Sequence, residues 1–467
     1  MRHRQRASRP AFALVTVLLA GTVLSGCSAA PATELTVLGS WVDEEQADFE
    51  AVLRDFEAES GIRARYQGHR DVSQVLQAGI ERGRPPDVAV LPRLNDLQRY
   101  VNAGELQPLN DIAAADPDAA PQLIRLARKA EPDGNRVDDE RVYAVAIATS
   151  LKSVFWFNPA RSGKLDQTPP RTWADLVGLA QGLGGGGQAP WCLGMSSPPV
   201  SGWPGTDWIE DILLHQAGQA SYEKWTRGQL PWISPQVRNA WVTWGALLTD
   251  QPRRTASLYT TWDEAGRNLF PPVQETDPPT ARPCHLDHQG SFAVRNYRAH
   301  LAELAERQGD AAPSTPDTSS FAFFSTPPVG SVDTSSLREV SDDVAAMFRA
   351  SEPARKLMAY LASERAQRVW REVNEEVFFS RRGTPEVYQG TVVRAVAARL
   401  STGILCRDAS DLLPAAMATA FERAVLVYLE APDRLDRLLA ELDAVQASVS
   451  KAEWMDLGCD PTTRQGT

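Results

Sequence analysis

The sequence predicts an α/β fold built on a parallel sheet, and three observations carry that prediction. Short apolar runs alternate with amphipathic helical stretches, turn residues punctuate them, and the chain is long enough for two domains. Leu35-Thr36-Val37-Leu38 reads as a short buried strand running into Gly39-Ser40-Trp41. From about Glu44, the residues Phe49, Val52, Leu53 and Phe56 recur at helical spacing, and Gly61 ends that helix. Ile62 to Tyr66 alternates as a second strand, and Val72, Val75, Leu76 and Ile80 mark a second helix. Asp87-Val88-Ala89-Val90-Leu91 is a third strand, stopped by Pro92. In such sheets ligands sit beyond the carboxyl ends of the strands. That rule gathers Trp41, the His69-Arg70-Asp71 turn and the Pro92-Arg93 loop around one mouth.

From Val142 the character changes. Tyr143 to Phe157 is an apolar run rich in β-branched and aromatic residues, closed by Asn158-Pro159. Thr172 caps a helix beginning at Trp173, and Gly184 to Gly187 reads as a flexible loop. Eight of the 13 tryptophans fall between Trp191 and Trp262, a heavy aromatic load for one stretch. Pro271 to Pro283 and Ala311 to Pro316 read as loops, 353–370 as a helix, and Leu412 to about Leu442 as a helical stretch broken near Pro432. No internal repeat is visible.

The N-terminus reads as a targeting segment. Arg2, Arg4, Arg6 and Arg9 precede an apolar run from Ala11 to Leu24, whose 14 residues fall short of the about 20 a membrane-spanning helix needs. Leu24-Ser25-Gly26-Cys27 resembles the lipobox of bacterial lipoproteins, in which the cysteine is acylated and becomes the mature N-terminus. The alternative is an ordinary cleavable signal without an anchor. Ser28 to Thr33 then serves as a tether. Loss of four arginines takes the formal charge from −11 to about −15, which argues against nucleic acid and against electrostatic binding to anionic lipid. Beyond Cys27, Cys192, Cys284, Cys406 and Cys459 form an even set in an exported chain; they are disulfide candidates or buried thiols.

The ordered segments resemble the solute-binding proteins of carbohydrate ABC importers, the maltose-binding-like family. They run from "FEAESGI" (Phe56 to Ile62) through "PPDVAVLP" (Pro85 to Pro92), "NAGELQPL" (Asn102 to Leu109) and "VYAVAIATSLKSVFWFNP" (Val142 to Pro159). "SGWPGTDWIEDILL" (Ser201 to Leu214), "HQGSF" (His288 to Phe292) and "DASDLLP" (Asp408 to Pro414) follow, the tryptophan- and SDLLP-bearing segments looking most like an alpha-glucoside-type subgroup. The resemblance covers essentially the whole mature chain. It implies a two-lobed, periplasmic-binding-protein-like (type II) α/β fold with a hinge between lobes. The implied order is N-lobe 34–148, C-lobe 149–327, N-lobe 328–380 and C-lobe 381–467, after a signal peptide over 1–26 and a tether over 27–33. Under that division all four cysteines lie in the C-lobe, and Cys192–Cys284 and Cys406–Cys459 pair within its segments without blocking the hinge. It further implies a sugar ligand, ABC permease subunits as partners, action as a monomer and no cofactor; the lipobox implies membrane attachment through the lipid on Cys27, and the acidic charge argues against nucleic acid.

A pyranose has an apolar face and a rim of hydroxyls, so its site needs flat aromatic surface and carboxylates or amides. Trp41 either contacts a ligand or packs at the lobe mouth. Asp71 either accepts from a hydroxyl or caps the helix beginning at Val72. Trp203, Asp207 and Trp208 offer two aromatics and a carboxylate within six residues, unless Asp207 caps a helix and Trp208 lies in the core. Trp262 and Gln289 are further candidates. Asp342 and Asp343 form either a cleft loop or a solvated turn, and Asp411 is either a ligand contact or an N-cap. Trp241 and Trp244, three apart on a helical face, read as core. The positive charge of Arg70, Arg93, Arg381 and Arg382 departs from the family pattern and leaves an acidic or phosphorylated sugar open; separately, the same fold binding a polyol, a glycosylated small molecule or a peptide is the alternative.

Enzymatic signatures are sparse. Cys284, His285, Asp287 and His288 look superficially like a metal set, but no second cluster supports them. The chain holds no G-x-S-x-G elbow and no P-loop. A surface hydrolase of glycans using paired carboxylates is the reading from a different class; the expectation is a binder, not an enzyme.

Overall fold

The first described segment forms a parallel sheet because each of its strands is a short apolar run that a helix must cover. The computed structural model describes residues 34–115, 121–163, 165, 167–184, 189–271, 283–307, 320–379 and 387–461. Strand β1 (Glu34–Gly39) lies between β2 (Arg63–Gly68) and β3 (Val88–Leu91), parallel to both. The helix Asp43–Ser60 buries Phe49, Val52, Leu53 and Phe56, and its first-turn acids Asp43, Glu44 and Glu45 complement the helix dipole. Gly61 ends it at φ 69°, a left-handed conformation in which glycine pays no Cβ penalty. The helix Val72–Glu81 is capped by Asp71, whose carboxylate accepts the Gln74 N–H at 3.4 Å.

The chain continues through β4 (Leu123–Leu126), a small ribbon of β5 (Lys129–Ala130) and β6 (Asn135–Arg136), and the long strand β7 (Arg141–Leu151). A second sheet has the order β11-β8-β10-β9, formed by β8 (Val154–Phe157), β9 (Ala189–Trp191), β10 (Cys284–His288) and β11 (Ala322–Ser325). Strands β12 (Leu337–Met347), β13 (Ile404–Arg407) and β14 (Asp460–Pro461) return to the first sheet, ordered β14-β13-β12-β3-β1-β2 with β7 and β4 branching from β12.

The two eleven-residue strands β7 and β12 run antiparallel between the lobes. Val145 and Ile147 at one end of the pair pack with Phe49 and Val90, whereas Leu151 and Val340 at the other end pack with Trp156 and Tyr297. The register slips between Asp343 and Val344, midway along the crossing. A third link passes near Phe378, whose carbonyl accepts the Thr149 N–H at 2.8 Å. The expected return to the first lobe at Pro327 is corrected: Val329 and Leu337 still pack on the tryptophan-rich second-lobe core, and the chain changes sides within β12. The expected crossing at Ser380 lies outside the described residues, as do Cys27, the expected signal (1–26) and tether (27–33), Arg381 and Arg382.

Ser363 divides the helix expected over 353–370 by capping a second one, giving Glu352–Leu361 and Glu364–Val373. The C-terminal stretch forms the helices Ala415–Glu430 and Leu435–Ser448 on either side of a turn at Pro432, with Leu412 in a separate short turn before Pro414. Most of the tryptophan load is core: Trp208, Trp225, Trp232, Trp241 and Trp244 share one cluster with Phe421 and Tyr428. Two disulfides staple the second lobe, Cys192–Cys284 and Cys406–Cys459. Among the described residues no helix is long and apolar enough to cross a membrane.

Candidate functional site

Between the lobes the crossing strands floor a cleft, and strand termini and helix starts supply its walls. On one side it is lined by Arg93, Lys152, Trp203, Asp207, Asp408 and Asp411, and on the other by Trp41, Glu45, Asp48, Arg295, Trp370 and Glu376. Ser150, Phe292 and Asp343 line both parts, so the two are continuous.

The helix Trp203–Ala217 begins at Gly202, which holds φ 102° where a Cβ would lie 2.4 Å from the Glu422 carbonyl. Trp203 and Asp207 stand four apart and share the face that looks into the cleft. Trp203 makes edge contacts with Trp262 and Phe292, each at 5.7 Å between ring centroids. Lys152, directly after β7, places its ammonium 2.7 Å from Asp207 and 3.2 Å from Asp408, and 5.2 Å from the Trp203 ring. Burial opposes the Lys152 charge, but those carboxylates hold its pKa well above the ordinary range. Burial lifts Asp207 to about 6 against the pull of Lys152. Asp408, despite burial, is held down to about 2 by Lys152.

Arg93 reaches across from the first lobe, with Nη1 2.5 Å from Glu422 and Nε 3.8 Å from Asp411. Ser341 donates to Asp411 at 2.5 Å, and burial pushes Asp411 upward, with Asp408 adding repulsion. On the far wall Arg295 pairs with Asp48 at 3.0 Å and Glu44 at 3.1 Å, and Arg298 pairs with Glu376 at 2.7 Å. Asp343 has no ion-pair partner among the described residues; burial, with Glu45 and Asp342 nearby, pushes its carboxyl up to about 8. Trp41 meets Trp370 edge-on at 5.1 Å.

The cleft thus brings together Trp41, Trp203, Asp207, Asp343 and Asp411, with Trp262 behind Trp203. The remaining expected contacts lie elsewhere. Trp208, one residue beyond Asp207, turns inward and packs 4.4 Å from His288 and 5.3 Å from Trp191. Asp342 faces away from its neighbour Asp343, accepting from Thr149 Oγ1 at 2.6 Å and Arg407 Nε at 3.1 Å. Gln289 is buried, its carbonyl accepting the Trp156 indole N–H at 2.8 Å. Asp71 stands exposed at its helix cap. Arg70 pairs with Glu45 at 3.4 Å.

Sequence reasoning overlooked Lys152, Phe292, Arg295, Trp370 and Asp408. Lys152 carried a signal: it interrupts an apolar run in a chain with few lysines, and a lysine that must be buried requires carboxylate partners. The Cys284, His285 and His288 set disperses, since Cys284 is spent on a disulfide and His288 binds Asp211 at 2.8 Å. Asp287 accepts instead from Tyr297 at 2.8 Å.

A family model described as bacterial extracellular solute-binding protein matches residues 39–368. The osmoprotective compounds-binding protein GgtB of Synechocystis is 29% identical over 435 residues, 90% of this chain and 96% of that protein. The alpha-glucosides-binding periplasmic protein AglE of Rhizobium meliloti is 29% identical over 55% of this chain and 56% of its own. Among solved structures, the solute receptor AcbH, described as preferring b-D-galactopyranose, aligns with a TM-score of 0.68 at 15% identity over 89% of this chain and 98% of that one. A chitin oligosaccharide binding protein aligns at 0.67 and 17% identity over 90% and 100%. At these identities the structural likeness shows the two-lobed fold.

Proposed function

The chain belongs to the bacterial extracellular solute-binding protein family, and on that premise we propose that it captures a neutral sugar for an ABC importer. The observation that carries this reading is the pairing of cleft charges. Lys152, Arg93 and Arg295 are each committed to carboxylates of the protein, so no described cleft cation is left to bind an acidic or phosphorylated sugar. Trp203, Phe292 and Trp41 supply apolar planes for a pyranose face. Asp207, Asp343 and Asp411 supply oxygens for hydroxyls, with Asp343 the least engaged. Ligand bridging both lobes favours the closed form, which is what a permease would recognise. The relative aligned over most of this chain is named for osmoprotective compounds and the second for alpha-glucosides, and the latter name supports a sugar ligand.

A thermal-shift panel of neutral sugars, polyols, glycosylated polyols, uronic acids and sugar phosphates tests the reading. A ligand at a hundred times its Kd stabilises the folded state by about 2.7 kcal/mol, a shift of a few degrees. Shifts confined to neutral compounds support it. A response to acidic sugars alone, or to none of the panel, overturns it.

The anchor belongs to the same proposal. It rests on the basic start, the apolar run and Leu24-Ser25-Gly26-Cys27. Labelled palmitate entering the wild-type protein but not Cys27→Ser, with release of that variant from the membrane, is the expected result. Equal release of both proteins argues for a plain cleavable signal.

A further inference from the structure

Directly behind the cleft wall, three carboxylates from three separate elements converge in the interior. Glu210 comes from the helix Trp203–Ala217, Glu339 from β12 and Asp408 from the turn after β13. Each offers an oxygen, and these oxygens lie within 4.8 Å of one another. Their exposures are 0%, 0% and 1%.

The hydrogen bonds around them are incomplete. Glu210 Oε2 accepts the backbone N–H groups of Ala409 at 2.6 Å and Ser410 at 3.2 Å. Asp408 accepts from Ser410 Oγ at 2.7 Å and from Lys152. Among the described residues Glu339 is offered only a long 3.4 Å contact from the Tyr222 hydroxyl, which also donates to the Arg407 carbonyl at 3.0 Å. Among the described residues, Glu210 Oε1 and Glu339 Oε2 are buried without any donor. Nor does a charge compensate them. Lys152 is divided between Asp207 and Asp408, and the Arg407 guanidinium is spent on Asp342 and Asp460. Among the described residues neither glutamate has an ion-pair partner. Leaving carboxylates uncompensated in the interior costs several kcal/mol, so something must neutralise them.

We propose that Glu210, Glu339 and Asp408 bind a divalent cation, with Ca²⁺ the ion that fits best. The donors are all carboxylate oxygens, which select hard cations rather than zinc or copper. Mg²⁺ dehydrates reluctantly and keeps several waters, whereas Ca²⁺ accepts six to eight oxygens, including both oxygens of one carboxylate. The ion would tie the helix carrying Trp203 and Asp207 to the crossing strand β12 and to the Asp408–Asp411 turn, fixing three parts of the cleft wall. The inference stands on these buried residues and does not depend on which solute the cleft takes.

The test strips the purified protein with EDTA and dialyses it to equilibrium against calcium chloride or, separately, magnesium chloride. Bound metal is measured by plasma mass spectrometry, and melting is followed with and without ion. One Ca²⁺ per chain and a rise in Tm are expected. In Glu339→Gln and Glu210→Gln, Ca²⁺ affinity should fall at least about tenfold and the Tm response should shrink. Each change removes a buried charge at similar volume, so both variants should fold without metal. Absence of bound metal in the wild type, with Tm indifferent to EDTA and Ca²⁺, overturns the proposal in favour of protonated carboxyls. Full Ca²⁺ retention in both variants overturns the placement. If neither variant folds, Tb³⁺ luminescence in the wild type decides: emission displaced stoichiometrically by Ca²⁺ supports the site, and none overturns it.

Discussion

Arg93 and Glu422 meet across the cleft, with guanidinium and carboxylate 2.5 Å apart. Arg93 lies in the loop beyond β3 in the first lobe, and Glu422 on the helix Ala415–Glu430 of the second. Glu422 is largely buried, and burial pushes its carboxyl up against the pull of Arg93. The pair therefore favours closure only while both partners are present. Arg93→Ala should leave a desolvated carboxylate at the interface, open the ligand-free protein and weaken solute binding by roughly tenfold. Glu422→Gln in the same chain should restore part of the affinity. Radius of gyration by small-angle scattering and calorimetric Kd values check this; an unchanged radius and Kd in Arg93→Ala would count against a closing role.

Lys152 plays a different part, because its partners Asp207 and Asp408 are in its own lobe and all three are buried. Lys152→Met keeps the length of the stem but leaves two carboxylates without their cation. Urea unfolding should show a loss of about 3–5 kcal/mol, the range for breaking a buried pair. Adding Asp207→Asn should recover part of it. Additive losses in the double variant would show that the two side chains do not act as a pair.

Trp203 and Trp208 separate binding from folding. Trp203→Ala should weaken solute binding about tenfold or more, with a modest change in Tm, because the ring lines the cleft. Trp208 is 3% exposed and packs against Phe155, Trp191 and His288, so Trp208→Ala should cost about 3–5 kcal/mol of stability. Calorimetric titration and urea melts on both variants distinguish the two effects. A binding loss in Trp208→Ala without a stability loss would contradict the inward placement of that ring.

That contrast marks what was legible in the sequence. Phe49, Val52, Leu53 and Phe56 announced a helix and its buried face because their spacing alone fixes both. The same periodicity puts Trp203 and Asp207 on one side and turns Trp208 away, once the helix start is known. Counting aromatics misled, since a core and a sugar platform use the same residues; burial of Trp225, Trp232, Trp241 and Trp244 is decided by partners distant in sequence such as Phe421 and Tyr428. Asp342 and Asp343 are adjacent on a strand, so only one can face the cleft, and Thr149 and Arg407, partners on other strands that hold Asp342, settle which. Asp408 and Arg295 gave no local signal, because their roles come from partners on other elements.

Asp343 gives the protein a pH dependence with a definite sign. Burial, with Glu45 and Asp342 adding repulsion, raises its folded pKa to about 8 from the usual carboxylate range. A raised carboxyl binds its proton more tightly in the folded state than in the unfolded one. Its contribution to stability is therefore present in full below the unfolded pKa of about 4 and is lost as pH rises to about 8. Asp207, lifted to about 6 by burial despite Lys152, adds a loss of the same sign over the lower part of that window. Solute filling the cleft removes more water from Asp343, so binding should also favour the protonated carboxyl, which can donate to a sugar oxygen. Affinity should fall by up to about tenfold per pH unit above 8 in the wild type. Asp343→Asn fixes the neutral form and should flatten that limb while preserving most of the affinity at pH 7. Calorimetric Kd values from pH 6 to 9 on both proteins make the comparison, and a wild-type profile as flat as that of Asp343→Asn would remove Asp343 from the binding wall.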